Sequence, residues 1–203
     1  GRITVNLAPA DLPKSGGRFD LPIALGVLAA SGQIPTTALR DVEFLGELGL
    51  TGELRAVDGV LPATLAAAEA KRRLIVPAAN GAEAALADAA DVLVARTLLE
   101  VCGALTGAKR LPPPDRVATR ERHVPDLDEV RGQAQARRAL EIAAAGQHHV
   151  LFVGTPGCGK TMLASRLPGL LPEASEDEAM ASASIASVSG RGFDASAWRT
   201  RPF

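Results

Sequence analysis

The sequence predicts an α/β protein built as two domains, on three observations. Short apolar runs of β-forming residues alternate with Ala- and Leu-rich stretches of helical length between residues 21 and 105. A charged, proline-rich stretch at 109–125 interrupts that alternation. Beyond it, an apolar run, a glycine loop and a helix-forming run succeed one another at 149–167, the order of a strand–loop–helix unit.

The elements of the first half follow from local signals. Residues 3–7, Ile-Thr-Val-Asn-Leu, alternate apolar with polar and read as a strand. A Pro-, Gly- and Lys-rich loop spans 9–17. Residues 21–30 form an almost wholly apolar helix with Asp20 as N-cap, Pro22 in its first turn and Gly32 ending it. Residues 42–50 and 53–57 read as two strands, with Gly49 and Gly52 flanking the turn between them. A helix at 60–71, a buried strand at 74–77, a short Ala-rich helix at 82–89, a strand at 91–95 and a helix at 98–105 complete the half. Cys102, in that last helix, reads as a packed small apolar residue.

In the second half, Pro112-Pro113-Pro114 stiffens the linker. A new unit opens at Asp126, and a long helix at 134–145 ends at Gly146. His149-Val150-Leu151-Phe152-Val153 reads as a buried parallel strand. Residues 162–167 form the helix after the loop, up to Pro168. An acidic start at 173–178 leads a further helix toward Ile185, and the tail from Ser187 is polar, Gly-rich and basic.

Composition narrows the function classes. With 203 residues the chain holds one or two domains, and 47% hydrophobic residues suffice for a sizeable core. A net charge of −1 gives no global basic field, though it leaves room for a local basic patch. Cys102 and Cys158 sit in unrelated contexts, so reduced thiols and a cytoplasmic location are expected. The sequence has no run of about 18 apolar residues and no signal peptide, so neither a membrane span nor membrane contact is expected. The chain starts in a strand without Met and stops at Arg-Thr-Arg-Pro-Phe, as a piece of a longer protein would.

The chemistry concentrates in Gly154-Thr155-Pro156-Gly157-Cys158-Gly159-Lys160-Thr161, which fits G-x-x-x-x-G-K-[ST] at every fixed position. The glycines and Pro156 let the backbone curl so that successive N–H groups face phosphate oxygens. Lys160 brings a mobile charge to the β- and γ-phosphates, and Thr161 offers its hydroxyl to the Mg²⁺ that accompanies the nucleotide. These eight residues are the candidate nucleotide site. ATP and Mg²⁺ are the expected ligands, with Thr161 reaching the metal through the nucleotide.

Beyond that loop, three stretches carry a resemblance: Asp128-x-Val130-x-Gly132-Gln133; 138–146, Arg-Ala-Leu-Glu-Ile-Ala-Ala-Ala-Gly; and the loop with Met162-Leu163 after it. With Val5-Asn6-Leu7-Ala8-Pro9 through Lys14, Phe19-Asp20-Leu21-Pro22 through Gly26, and Gly46-Glu47-Leu48, the chain resembles the YifB/ComM family of magnesium-chelatase-like AAA+ ATPases over nearly its whole length. The resemblance implies a Lon-protease-like domain (ribosomal S5 domain 2-like, α+β) at 1–108, a linker at 109–125, and the first part of a P-loop AAA+ αβα domain at 126–203. It implies a bacterial homo-hexamer, ATP hydrolysis, and DNA branch migration during uptake of foreign DNA. It also makes Val130 and Arg131 candidates for contact with the adenine base, since a segment like theirs lies over the base in AAA+ proteins.

The family pattern continues past Arg-Pro-Phe to a strand ending in an acidic pair, which supplies the water-orienting carboxylate. Neither that strand nor an identifiable arginine finger lies within these 203 residues, so no catalytic residue is assigned and the chain alone is expected to bind ATP without turning it over. Arg191, Arg199 and Arg201 read as a solvated or DNA-facing loop. The Ser–Lys dyad of Lon-type proteases is not matched: the nucleophile position falls on or near Asp20 and the lysine position on Leu61, while Ser15 and Lys14 are adjacent in one loop. No peptidase activity is therefore expected. Two other readings stay open: an ATPase subunit of a metal chelatase, and a non-catalytic assembly role for the first half.

Overall fold

The computed structural model describes residues 2–7, 16–120 and 124–201. The chain divides into two compact units, one of Gly1–Ala118 with Ala183–Ser196, the other of Thr119–Ser182 with Ala197–Phe203.

The first unit is organised by β4 (Arg73–Pro77), the middle strand of a three-stranded parallel sheet in the order β1 (Val42–Phe44), β4, β5 (Val92–Ala95). Its run Arg-Leu-Ile-Val-Pro is buried from Leu74 onward, as a parallel strand covered on both faces must be. Period-2 alternation divides its side chains. Ile75 joins Leu21 and Leu25 of α1 (Asp20–Ala30) and Val101 of α4 (Leu98–Leu105). Leu74 and Val76 join Val60 and Ala67 of α2 (Val60–Glu69) and Ala84 of α3 (Gly81–Ala84). Cys102 packs against the Ile75 side, and burial raises its thiol pKa.

Several expectations need correcting here. The run 42–50 is not one strand. It breaks at Gly46, whose N–H donates to the Arg18 carbonyl at 3.1 Å and whose carbonyl accepts from Leu21 N at 3.0 Å. With both groups committed to the start of α1, the ladder cannot continue, and β2 (Glu47–Leu48) pairs antiparallel with β3 (Leu54–Arg55) instead. The turn between β2 and β3 closes as expected, Gly49 N–H donating to Glu53 O at 2.9 Å with Gly52 at φ 87°. Asp20 lies inside α1 and does not cap it; its carboxylate accepts the Leu48 N–H at 3.3 Å. The Ala-rich helix stops at Ala84, well short of residue 89. Residues 3–7 join no strand among the described residues, and Ile3, Val5 and Leu7 are exposed. Leu111 is buried in the first unit's core and Val94 N–H donates to Pro112 O at 3.0 Å, so the start of the proline-rich stretch packs on this unit.

In the second unit, α5 (Ala134–Gly146) turns a stripe of Ala136, Leu140, Ala143 and Ala144 inward, the i, i+4, i+7 spacing of an amphipathic helix. Leu140 packs with Leu127, Val130 and Leu163, flanked by Phe152, Met162 and Leu167. The run 149–153 is not a strand: no ladder partner exists for it among the described residues, and Leu151 and Val153 are 85% and 87% exposed. An apolar run becomes a strand only where another backbone pairs with it. The helix after the loop is also shorter than expected. It appears as α6 (Lys160–Ala164) and α7 (Leu167–Leu170), with Pro168 in the first turn of α7. Residues 176–182 of the last helix, α8 (Glu176–Val188), belong to this unit.

Candidate functional site

The loop 154–161 runs from the extended segment at 150–155 into α6. Two glycines set its path, Gly157 at φ 81° and Gly159 at φ 87°, conformations a side chain would strain. Nothing lies within 4 Å of where a Cβ on Gly157 would stand, so this part of the loop offers bare, open backbone. Gly159 is crowded on its inner side. A Cβ there would come within 3.1 Å of Gln133 Nε2 and 3.3 Å of Met162 Cε. Cys158 is exposed, and its N–H makes a long 3.5 Å turn contact with Thr155 O.

Lys160 opens α6 and folds back across the loop. Its Nζ donates to Gly154 O at 2.9 Å and Thr155 O at 2.8 Å, and approaches Cys158 Sγ at 3.6 Å. The ammonium is thus held against the loop's own carbonyls, acceptors that an anionic oxygen can replace. Thr161 is exposed, and its side-chain hydroxyl has no hydrogen-bond partner among the described residues. Open glycine backbone, a cation over it and a free hydroxyl one residue on are a donor set that fits a phosphate chain with its Mg²⁺.

The segment before α5 supports the loop. Asp126 caps the turn 127–129 through Asp128 N–H. Glu129 pairs with Arg166 at 3.1 Å, and Arg166 also donates to Met162 O at 2.8 Å, which ties the segment to α6. Of the two residues expected at the base, Val130 is 2% exposed and packed among Leu127, Leu140 and Leu163, whereas Arg131 is exposed. The residue that reaches the loop is Gln133, in the left-handed conformation at φ 50°, with its carboxamide beside Gly159. Sequence reasoning quoted the Gly132-Gln133 pair without assigning it. A non-glycine residue with positive φ next to such a loop cannot be recognised from composition.

The three tail arginines differ. Arg201 is tied down, its guanidinium on Glu178 at 2.9 and 3.3 Å and its Nε on Pro172 O at 2.9 Å. Arg199 is exposed and lies 3.9 Å from Glu176, and Arg191 is exposed. At the positions compared with a Ser–Lys dyad, Asp20 receives Leu48 N–H and Leu61 is completely buried. Lys14 and Ser15 lie outside the described residues. Among the described residues no group of three or more His, Cys, Asp or Glu side chains is placed so that it could hold a metal ion, and no helix there is long and apolar enough to cross a membrane.

Comparison with known proteins bears on both halves. The profile described as "Magnesium chelatase, subunit ChlI" matches residues 126–203, and that described as "Subunit ChlI of Mg-chelatase" matches 1–80. The competence protein ComM of Haemophilus influenzae is 51% identical over the whole chain, which covers 41% of that protein. The protein YifB of Escherichia coli is 47% identical over the whole chain, which covers 40% of it. An archaeal Lon protease of Thermoplasma volcanium is 43% identical over 61 residues, 29% of this chain and 9% of the protease. The chain thus spans about two fifths of the length of ComM and YifB.

Proposed function

The chain belongs to the YifB/ComM family of magnesium-chelatase-like AAA+ proteins, and from that premise we propose that it binds ATP with Mg²⁺ on the loop Gly154–Thr161. The observation that carries the reading is the position of Lys160, whose Nζ spans the loop from its own helix to Gly154 O and Thr155 O. A triphosphate in the loop gives Lys160 ionised oxygens in place of two neutral carbonyls, and charge-assisted hydrogen bonds are the stronger kind. The backbone about Gly157 donates to the phosphate oxygens, and the Thr161 hydroxyl turns to the metal. Mg²⁺, when bound, neutralises part of the phosphate charge. Gln133, with Arg131 near it in sequence, holds the side of the loop from which the base is approached.

In this reading residues 1–108 are a Lon-protease-like domain without the dyad, 109–125 a linker and 126–203 the start of the AAA+ module. The whole protein is a cytoplasmic homo-hexamer that hydrolyses ATP to move DNA, in the manner of branch migration. The 51% identity to a protein named for competence supports a DNA role. A second reading, an ATPase subunit that drives metal chelation, is favoured by the chelatase profiles. ATPase activity of a full-length homologue separates the two. Stimulation by branched DNA supports the first, and stimulation by a chelatase partner with its tetrapyrrole supports the second.

A further inference from the structure

Four arginines of the first unit are answered by carboxylates: Arg55 by Glu47 and Glu53, Arg72 by Glu43, Arg73 by Asp91 and Arg116 by Asp88. Arg18, drawn partly into a cleft, is not. Its Nε is buried without a hydrogen-bond partner, and its guanidinium makes no ion pair among the described residues. The guanidinium lies 5.6 Å from the centroid of the Phe19 ring. Its two terminal nitrogens stand 3.5 and 3.7 Å from where a Cβ on Gly59 would be, ordinary contact distance, so the guanidinium lies along the Gly59 backbone.

The cleft has a volume of about 430 Å³ and is lined by Gly16, Arg18, Glu47, Val57, Asp58 and Val188. That is the size of a small-molecule site. Glu47 is shared with Arg55 at 3.6 Å. Asp58 is exposed and has no ion-pair partner among the described residues. The cleft therefore presents one unanswered cation and one unanswered anion that do not answer each other.

We propose that this cleft binds a small zwitterion of the amino-acid or dipeptide class, its carboxylate on Arg18 and its ammonium on Asp58. A partly buried guanidinium without a counter-ion is costly, and its planar fork matches a carboxylate in bidentate geometry. The Phe19 ring holds the guanidinium face, leaving its edge for the ligand. The acidic wall of Glu47 and Asp58 selects against a polyanion such as phosphate and favours a ligand that carries a positive charge beside its carboxylate. Free amino acid and dipeptide share this chemistry and differ in the distance between their charges.

The test is a titration of the 203-residue chain followed by the backbone amide resonances of Gly17 and Asp58, with glycine, glycylglycine, acetate and inorganic phosphate as probes. One of the two zwitterions gives a saturable shift at millimolar concentration, and which one does so fixes the charge separation. Acetate binds roughly tenfold more weakly, for want of the contact to Asp58. Phosphate gives no saturable shift. Asp58→Asn lowers zwitterion affinity to that of acetate. Arg18→Lys, which keeps the charge and loses the fork, weakens it at least roughly fivefold while circular dichroism stays unchanged. No saturable shift with either zwitterion overturns the proposal, as does acetate or phosphate binding equally well, or unaltered affinity in Arg18→Lys.

Discussion

The carboxamide nitrogen of Gln133 stands 3.1 Å from the point a Cβ on Gly159 would occupy. The left-handed residue before α5 and the left-handed glycine before α6 therefore pack against each other. Gly159→Ala puts a side chain at φ 87° and pushes it into Gln133, and we expect a loss of about 1–2 kcal/mol in urea unfolding. Gln133→Gly relaxes a residue at φ 50° and removes the obstacle, so the double variant recovers part of that loss. Strictly additive effects of the two substitutions contradict the contact.

Among the described residues of the first unit, Glu83 is the buried carboxylate. It accepts Leu61 N–H at 2.9 Å in the first turn of α2 and Asn80 Nδ2 at 3.1 Å, and it also accepts the Ser187 hydroxyl. Glu83→Ala strands these donors and lowers stability by about 3 kcal/mol. Glu83→Gln keeps the shape but turns one acceptor into a donor, and costs less. A chemical denaturation series on the three proteins checks the order, and an Ala variant as stable as the parent contradicts it.

How far the sequence revealed this architecture is clearest from three places. β4 was legible because a short apolar run bounded by charge and proline suits a covered parallel sheet; that Ile75 and Leu74 enter different cores is seen only in the structure. The break at Gly46 was not, because it depends on Arg18 and Leu21, more than twenty residues away, taking both backbone groups. The run 149–153 carried a strand's pattern, but pattern specifies no partner, and none pairs with it among the described residues. At the candidate site the turn glycines Gly157 and Gly159 were legible, since their spacing is a local requirement. Gln133 was not assigned, because its role comes from a backbone conformation and a neighbour in space.

Acid should weaken both units through particular carboxylates. Hydrogen bonds from Lys109 and from the backbone of Arg96 hold the Glu100 carboxyl below its usual pKa of 4.5. Ser175 N–H and then Arg201 do the same for Glu178. A depressed folded-state pKa means that the stabilisation is complete above about pH 4.5 and is lost as pH falls through the lower folded value. Thermal melting from pH 7 to 3 should be flat down to about pH 5 with respect to these groups and fall below it. Glu100→Gln should flatten part of that fall, and an unchanged pH profile in this variant contradicts the assignment.

Nucleotide binding through Lys160 is the central claim, and equilibrium titration of the 203-residue chain with ATP and Mg²⁺ tests it most directly. The parent chain should bind. Lys160→Ala should lose roughly 10- to 100-fold in affinity, the worth of a charge-assisted contact, with unfolding stability within about 0.5 kcal/mol of the parent, since the side chain packs in no core. Equal ATP affinity in the parent and a folded Lys160→Ala variant, or no binding by the parent chain, would contradict the account.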